Sequence, residues 1–282
     1  MEQQLEAIRE QQKASWNKFS PGWKKWDALT MDFLKPTGDE IIRLLKLKDT
    51  DVILDVAAGT GEPGLTIASV VKNGKVIITD LAEDMLVIAR ENAAKRGIKN
   101  IETITCDVSE LPFPDNTFDG ISCRFGFMFF PDMLMAAKEM VRVLKPGGRM
   151  VAAVWDVPEK NFWVTAIMGT LGRNVEMPQP SPDSPGLFRC AKDGLMTDLF
   201  AKAGLKNIFQ SEIRGKLNCK TPDVYWGFMT ETPAPVASAL SKTDDSVKEK
   251  IKKEVYQLLN QKYPDGNVII DSGALVVCGE KF

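Results

Sequence analysis

Asp55, Gly59 and Gly61 are the residues whose types and spacing point most directly to chemistry. An apolar run, Val-Ile-Leu-Asp-Val over residues 52–56, ends in a carboxylate and turns at once through Ala57-Ala-Gly59-Thr-Gly61-Glu-Pro-Gly64. Only glycine bends a chain so tightly while leaving no Cβ between backbone and ligand, and the helix that follows aims its first N–H groups into the gap. The segment reads as a cofactor cradle at a strand end. Gly59-x-Gly61-x-x-Gly64 also fits the dinucleotide fingerprint, with Asp80 near the distance of a ribose-binding acid. Asp55 separates the two readings, because a dehydrogenase loop carries glycine where this chain carries acid. A carboxylate there suits a cofactor with a cationic amino group rather than a pyrophosphate. An ordinary strand-to-helix turn of small residues would share the composition.

Further acids follow at strand ends. Asp80 closes Val-Ile-Ile-Thr-Asp, where its carboxylate can accept both hydroxyl protons of a ribose, with Leu81 and Met85 as apolar surface for a purine; a helix cap is the competing use. In Cys106-Asp107-Val108 the Asp107 carboxylate can accept from an adenine amino group while the Val108 N–H donates to the ring, and Asp107 too could be a cap. Asp156 is placed to act as a base on an acceptor, or to serve as a loop acid, and no catalytic residue is assigned. Aromatic and sulfur side chains gather after strand ends at Phe125, Phe127, Met128, Phe129 and Phe130, then Trp155, Phe162, Trp163 and Met168, with Trp226 and Met229 beyond. They are either core or the wall of an apolar acceptor pocket.

The elements that must position these groups are legible. Apolar runs at 52–56, 76–79, 101–105, 120–123 and 150–154 alternate with helical spacing, which implies βαβ crossovers and a parallel sheet covered on both faces. Ligands of such sheets bind beyond the carboxyl ends of the strands, where Asp55, Asp80, Asp107 and the stretch 123–125 fall. A helical arm over residues 1–45 precedes the core, with a break expected at Pro21-Gly22 between Leu5, Ile8, Trp16, Phe19 and the later Trp23 and Trp26. It either packs on the core or closes over the cofactor. After the core come a Pro-rich loop at 177–185, a helix at about 191–204 and strands at 207–217 and 274–278. A helical insertion separates these strands, with Thr221-Pro222 as one N-terminus and a capping box at Ser246-x-x-Glu249 as another. The expected domains are an arm at 1–45, a cofactor core at 46–155 and a remainder at 156–282 with lid insertions near 160–190 and 221–262.

Composition removes several classes. Histidine is absent from the 282 residues, so His-dependent triads and metal motifs are excluded. The cysteines Cys106, Cys123, Cys190, Cys219 and Cys278 are odd in number and unpaired in spacing, which argues against a disulfide framework, a zinc site or a thiolate cluster for arsenite. A net charge of −2 with signs interspersed argues against a nucleic-acid partner. No apolar run is long enough to span a bilayer, and the polar start is unlike a signal peptide; the expected location is the cytoplasm. Peripheral membrane contact and a homodimer are left open.

Taken together, Asp55-x-x-x-Gly59-x-Gly61, Asp80, Asp107, Leu111-Pro-Phe-Pro-Asp-Asn-Thr-Phe-Asp119, Phe129-Phe-Pro-Asp132 and Leu144-Lys-Pro-Gly-Gly148 resemble the class I S-adenosylmethionine-dependent methyltransferases, and within them the ubiquinone/menaquinone biosynthesis C-methyltransferase type, over roughly residues 15–160. The resemblance implies a Rossmann-like, doubly wound, mostly parallel seven-stranded α/β sheet. It implies S-adenosylmethionine as cofactor, S-adenosylhomocysteine as product, no metal, and a small hydrophobic acceptor (aromatic, quinol, polyketide or lipid-like) methylated on carbon or oxygen. It also implies that Asp55 holds the methionine amino end directly or through water, that the backbone at Ala57, Gly59 and Gly61 lines the methionine and ribose, and that Asp80 takes the ribose hydroxyls. Leu81 and Met85 would flank adenine, Asp107 and Val108 would read its edge, and the backbone near Cys123 would meet the amino group. The chain departs from the quinone pattern at Phe129, where Asn is usual, and at Trp23, in place of an early Tyr. The competing classes are an NAD(P)-binding oxidoreductase and a non-catalytic cofactor-binding module.

Overall fold

The computed structural model describes residues 2–176 and 184–282; the Pro-rich stretch expected as loop lies largely outside them. Two helices, α1 (Glu2–Lys25) and α2 (Asp27–Leu45), lead into β1 (Val52–Val56), α3 (Gly64–Val70), β2 (Lys75–Asp80), α4 (Glu83–Lys95), β3 (Ile101–Thr105) and β4 (Phe118–Arg124). Then follow α5 (Met133–Val143), β5 (Leu144–Trp155), α6 (Phe162–Asn174), α7 (Leu195–Lys202), β6 (Lys206–Lys220), the insertion helices α8 (Pro222–Glu231), α9 (Ala234–Ser241) and α10 (Asp245–Lys262), and β7 (Val268–Glu280). The sheet has seven strands in the order β3-β2-β1-β4-β5-β7-β6. Strands β1 to β5 pair in parallel, whereas β7 runs antiparallel to both β5 and β6. The order reverses between β1 and β4, which opens a crevice at their carboxyl ends.

Side-chain alternation explains why both faces are covered. Leu54 and Val56 of β1 join one buried cluster with Ile121, Met140 and Trp155, while Ile53 joins the other with Ile78, Val151 and Val276. Each such side chain contributes about 1.5–3 kcal/mol by leaving water. The acid at position 55 is therefore carried on a strand that cannot shift without unpacking two cores.

Several boundaries differ from the sequence expectation. The helix does not break at Pro21-Gly22: α1 continues to Lys25, because the Asn17 carbonyl that Pro21 cannot serve accepts from the Ser20 hydroxyl instead, at 2.9 Å. The turn comes at Trp26, between α1 and α2. Strand β5 starts at Leu144, since Leu-Lys-Pro-Gly-Gly is drawn into the ladder through a register shift against Phe118 and Gly120. Helix α10 is capped by Asp244, which accepts from the Val247 N–H at 2.9 Å and from the Ser246 hydroxyl at 2.7 Å; an ionised carboxylate outcompetes Ser246 as acceptor. At α8 the Thr221 hydroxyl accepts from the Val224 N–H, as Thr-Pro suggests. Helix α7 is shorter than expected and starts after Gly194, whose φ of 74° is left-handed.

Helix α1 is fastened to α8. Lys25 and the Trp26 indole both reach the Glu231 carboxylate, and the Trp23 indole donates to the Thr232 carbonyl at 3.1 Å. Gly22 makes this approach feasible, because a Cβ there would lie 1.9 Å from the Glu231 carbonyl oxygen. Gly22→Ala is expected to push α1 off α8 and destabilise the fold by about 1–3 kcal/mol. Amide hydrogen exchange should show faster exchange in residues 2–25, and unchanged exchange would refute the contact.

Candidate active site

A cavity opens beyond the carboxyl ends of β1, β2, β4 and β5, roofed by α1 and by the segment joining α8 to α9. Its polar end is built on the loop after β1. Gly59 has φ 56° and Ala57 φ 52°, a left-handed bend that costs Ala57 about 1–2 kcal/mol. Asp80 fixes that bend: one carboxylate oxygen accepts from the Gly59 N–H and the other from the Ala82 N–H, each at 2.9 Å. Burial pushes the Asp80 carboxyl above the usual carboxylate range, while these N–H groups oppose the rise. Each oxygen has capacity for a second bond and the residue lines the cavity, so Asp80 can still accept from ligand hydroxyls. Leu81, Met85, Asp107 and Val108 line the same end, and Arg9 of α1 pairs with Asp107.

Asp55 does not face the cavity. Its carboxylate is fully buried beneath the loop, accepting from the Gly64 N–H at 2.7 Å and the Ser122 hydroxyl at 2.6 Å. Burial raises this carboxyl to about 7, against the pull of Ser122, Gly64 and Arg124. The expectation of a direct ligand contact is corrected: Asp55 ties the loop to β4. Gly61 and Cys123 are likewise away from the lining. Gly61 packs over Leu65 and Ala89 with φ 109°, and Cys123 is buried, its thiol pushed up by desolvation. Ala57, Gly59, Asp80, Leu81, Met85, Asp107 and Val108 are the expected site residues that the fold brings together on the lining.

The other end of the cavity is aromatic. Phe125 stacks on Trp155 at 4.1 Å between ring centroids, Phe33 stacks on Trp155 at 5.6 Å, and Trp163 packs against Trp155 at 4.8 Å. Phe125 itself holds φ 62°, a second left-handed non-glycine residue at the site. On the roof, Trp16 meets Phe129 edge-on at 5.2 Å and Trp23 at 6.0 Å. Both positions that depart from the quinone pattern, Trp23 and Phe129, thus lie on the cavity wall. Phe127, Met128, Phe162, Met168, Trp226 and Met229 belong to the core or its margin, and α8 offers Phe228 instead.

Asp156 is a structural acid. It accepts from the Val157 N–H at 2.7 Å and from Lys160 at 2.8 Å, away from the cavity. Among the described residues no cluster of Cys, Asp and Glu could hold a metal ion, and no helix is long and apolar enough to cross a membrane.

Sequence reasoning missed Arg124, Glu62, Thr30, Phe33 and the α1 residues Arg9, Gln12 and Trp16, all on the lining. The signal for Arg124 was a cation directly after the buried run of β4, within Ser-Cys-Arg-Phe-Gly. For Glu62 it was an acid inside the glycine loop. The α1 contacts had no local signal, because they depend on where the arm folds back.

Residues 26–170 match the model of the ubiE/COQ5 methyltransferase family. A demethylmenaquinone methyltransferase of Bacillus subtilis is 31% identical over 186 residues, 60% of this chain and 77% of that protein. The ubiquinone/menaquinone biosynthesis C-methyltransferase UbiE of Cellvibrio japonicus is 43% identical over 112 residues, 39% of this chain and 45% of that protein. For a Listeria monocytogenes demethylmenaquinone methyltransferase the match spans 53% of the relative, so the similarity covers about half the length of several curated relatives. Among solved structures, the YcgJ protein of Bacillus subtilis aligns with TM-score 0.58 at 20% identity, covering 87% of this chain and 97% of that one. A structure described as a putative methyltransferase from Bacillus halodurans aligns with TM-score 0.56 at 20% identity, covering 86% and 98%. At that identity the structural likeness concerns the fold.

Proposed function

This chain belongs to the ubiE/COQ5 methyltransferase family, and on that premise we propose that it transfers a methyl group from S-adenosylmethionine to a carbon or oxygen of a small hydrophobic acceptor. The observation that carries the proposal is one cavity with two unlike ends, an acid-lined loop at β1 and β2 and an aromatic box at β4 and β5. The residues present fit the cofactor. Asp80 offers free lone pairs to ribose hydroxyls from a position that also shapes the loop, and Leu81, Met85 and Val108 offer an apolar slot for adenine beside Asp107.

The cofactor supplies an activated methyl on a sulfonium. The chain's residues supply placement: Asp80 and the Ala57–Gly59 backbone hold one end of the site, and Phe125, Trp155, Phe33 and Trp163 hold a flat apolar acceptor against it. Alignment of this kind is worth about 7–11 kcal/mol in favourable model systems. The faces of Phe125 and Trp155 can add cation–π attraction of about 0.5–2 kcal/mol each to a nearby positive centre. Helix α1 and residues 232–235 form part of the cavity wall.

Quinols are one acceptor class that fits, given the relatives' names. Trp23 and Phe129 make this wall bulkier and more aromatic than the quinone pattern, which favours flat apolar phenols, quinols or polyketides that stack at that edge. We also propose a cytoplasmic setting, in keeping with cysteines that are all free thiols. The oxidoreductase reading is disfavoured by family membership. The test is calorimetry of the full chain with S-adenosylmethionine, S-adenosylhomocysteine and NADH. Binding of the two sulfur nucleosides and not NADH is expected; preference for NADH would overturn the proposal.

A further inference from the structure

Arg124 is a charged side chain of the cavity with no close ionic partner among the described residues. It closes β4 after a buried run and lines the cavity, with its guanidinium against α2. A guanidinium carries five N–H donors in a planar fork suited to a carboxylate. Among the described residues that fork finds only the Leu34 carbonyl at 3.4 Å and the Met31 sulfur at 3.9 Å, one long contact and one weak acceptor.

Among the described residues, acids surround it without pairing with it. Burial depresses the Arg124 pKa, with Glu62, Asp55 and Asp27 acting through space in the opposite direction. Each is committed elsewhere: Glu62 to Thr66 and Arg96, Asp55 to Gly64 and Ser122, and Asp27 to the Asn92 amide. A second polar group nearby is also unsatisfied. Thr30 lies one helical turn before Leu34 on the same face of α2; it is 1% exposed, lines the cavity and has a hydroxyl with no partner among the described residues. Buried cations and hydroxyls are rarely left in this condition. An arginine retained only to clamp α2 onto the sheet would be expected to bond the Leu34 carbonyl closely.

Resting on the proposed methyltransferase reading, we infer that Arg124, assisted by the Thr30 hydroxyl, anchors a carboxylate or comparably acidic oxygen of a molecule bound in the cavity. Two sources carry that chemistry: the methionine carboxylate of the cofactor, and an acidic group on the acceptor. Both would bring the fork the bidentate acceptor it lacks.

Calorimetry of the full chain separates the sources. Wild type, Arg124→Gln, Arg124→Lys and Thr30→Val are titrated with S-adenosylhomocysteine and with 5′-methylthioadenosine, which keeps the nucleoside thioether and lacks the amino-acid head. The proteins loaded with S-adenosylhomocysteine are then titrated with 4-hydroxybenzoate and with phenol. If the cofactor is the source, Arg124→Gln loses about 10- to 100-fold in affinity for S-adenosylhomocysteine and nothing for methylthioadenosine. If the acceptor is the source, S-adenosylhomocysteine is unaffected and a loss of similar size falls on 4-hydroxybenzoate but not phenol. In either case Arg124→Lys recovers part of the loss and Thr30→Val shows a smaller loss on the same ligand. Unchanged affinity for both carboxylate ligands, in variants with wild-type melting temperature, overturns the inference. Should Arg124→Gln fail to fold, Arg124→Lys and Thr30→Val decide it by the same comparison. Failure of the wild type to bind either nucleoside would sink the methyltransferase reading itself, leaving Arg124 to be judged on the aromatic acid against phenol.

Discussion

Asp80→Ala is expected to lower affinity for S-adenosylhomocysteine by at least about 100-fold. Two contributions combine: loss of charge-assisted bonds to ribose hydroxyls, about 1.5–3 kcal/mol each, and loss of the acceptors that hold Gly59 and Ala82 in place. Asp80→Asn should be nearly as damaging. Both carboxylate oxygens accept backbone N–H bonds, so an amide must turn its NH2 toward one of those donors. Calorimetry on variants with native circular dichroism checks this, and an Asp80→Ala protein binding within about threefold of wild type would contradict the assigned role.

The second large effect concerns Asp55 and pH. Its carboxyl sits at about 7 in the folded chain and near 3.9 in the unfolded one. Between those values the folded state holds a proton that the unfolded state has released. Folding is thus favoured by this group at low pH, and that contribution is lost as pH rises from about 4 to about 7. The shift corresponds to about 4 kcal/mol at most. Asp55→Asn removes the titration and keeps the bonds, since its oxygen can accept from the Gly64 N–H and its NH2 can donate to the Ser122 oxygen. Relative to wild type, the variant should gain stability as pH rises from 5 to 8. Urea unfolding across that range tests this; a constant difference between the two proteins would show that Asp55 stays ionised when buried.

The sheet was readable because its strands are short apolar runs that must be buried on both faces, and Val52–Val56 and Ile101–Thr105 coincide with the expected bounds. Boundaries slipped where a local device overrode a general rule. Ser20 rescued the carbonyl that Pro21 leaves idle, Asp244 displaced Ser246 as cap, and a bulge pulled Lys145-Pro146-Gly147 into β5. At the site, residues on the loops after β1, β2 and β3 were legible because strand ends of a parallel sheet converge. Which way a side chain points was not. Asp55 falls on the same side of β1 as Ile53, opposite Leu54 and Val56, and is captured by Ser122, a partner 67 residues away, so it serves the loop rather than the lining. Arg9, Trp16 and Thr30 reach the cavity only because the arm folds across it, a long-range fact that spacing along α1 and α2 does not encode.

Methyl transfer to an apolar acceptor is the activity proposed for this chain. It is tested most directly by incubating the full chain with S-adenosylmethionine bearing a trideuterated methyl group and a panel of phenols, quinols and polyketide-like enols, followed by mass spectrometry. The expected result is an acceptor heavier by one trideuteromethyl group with an equal amount of S-adenosylhomocysteine, and loss of both in Asp80→Ala. Tight binding of the cofactor with no labelled product from any member of the panel would contradict it and leave a cofactor-binding module in its place.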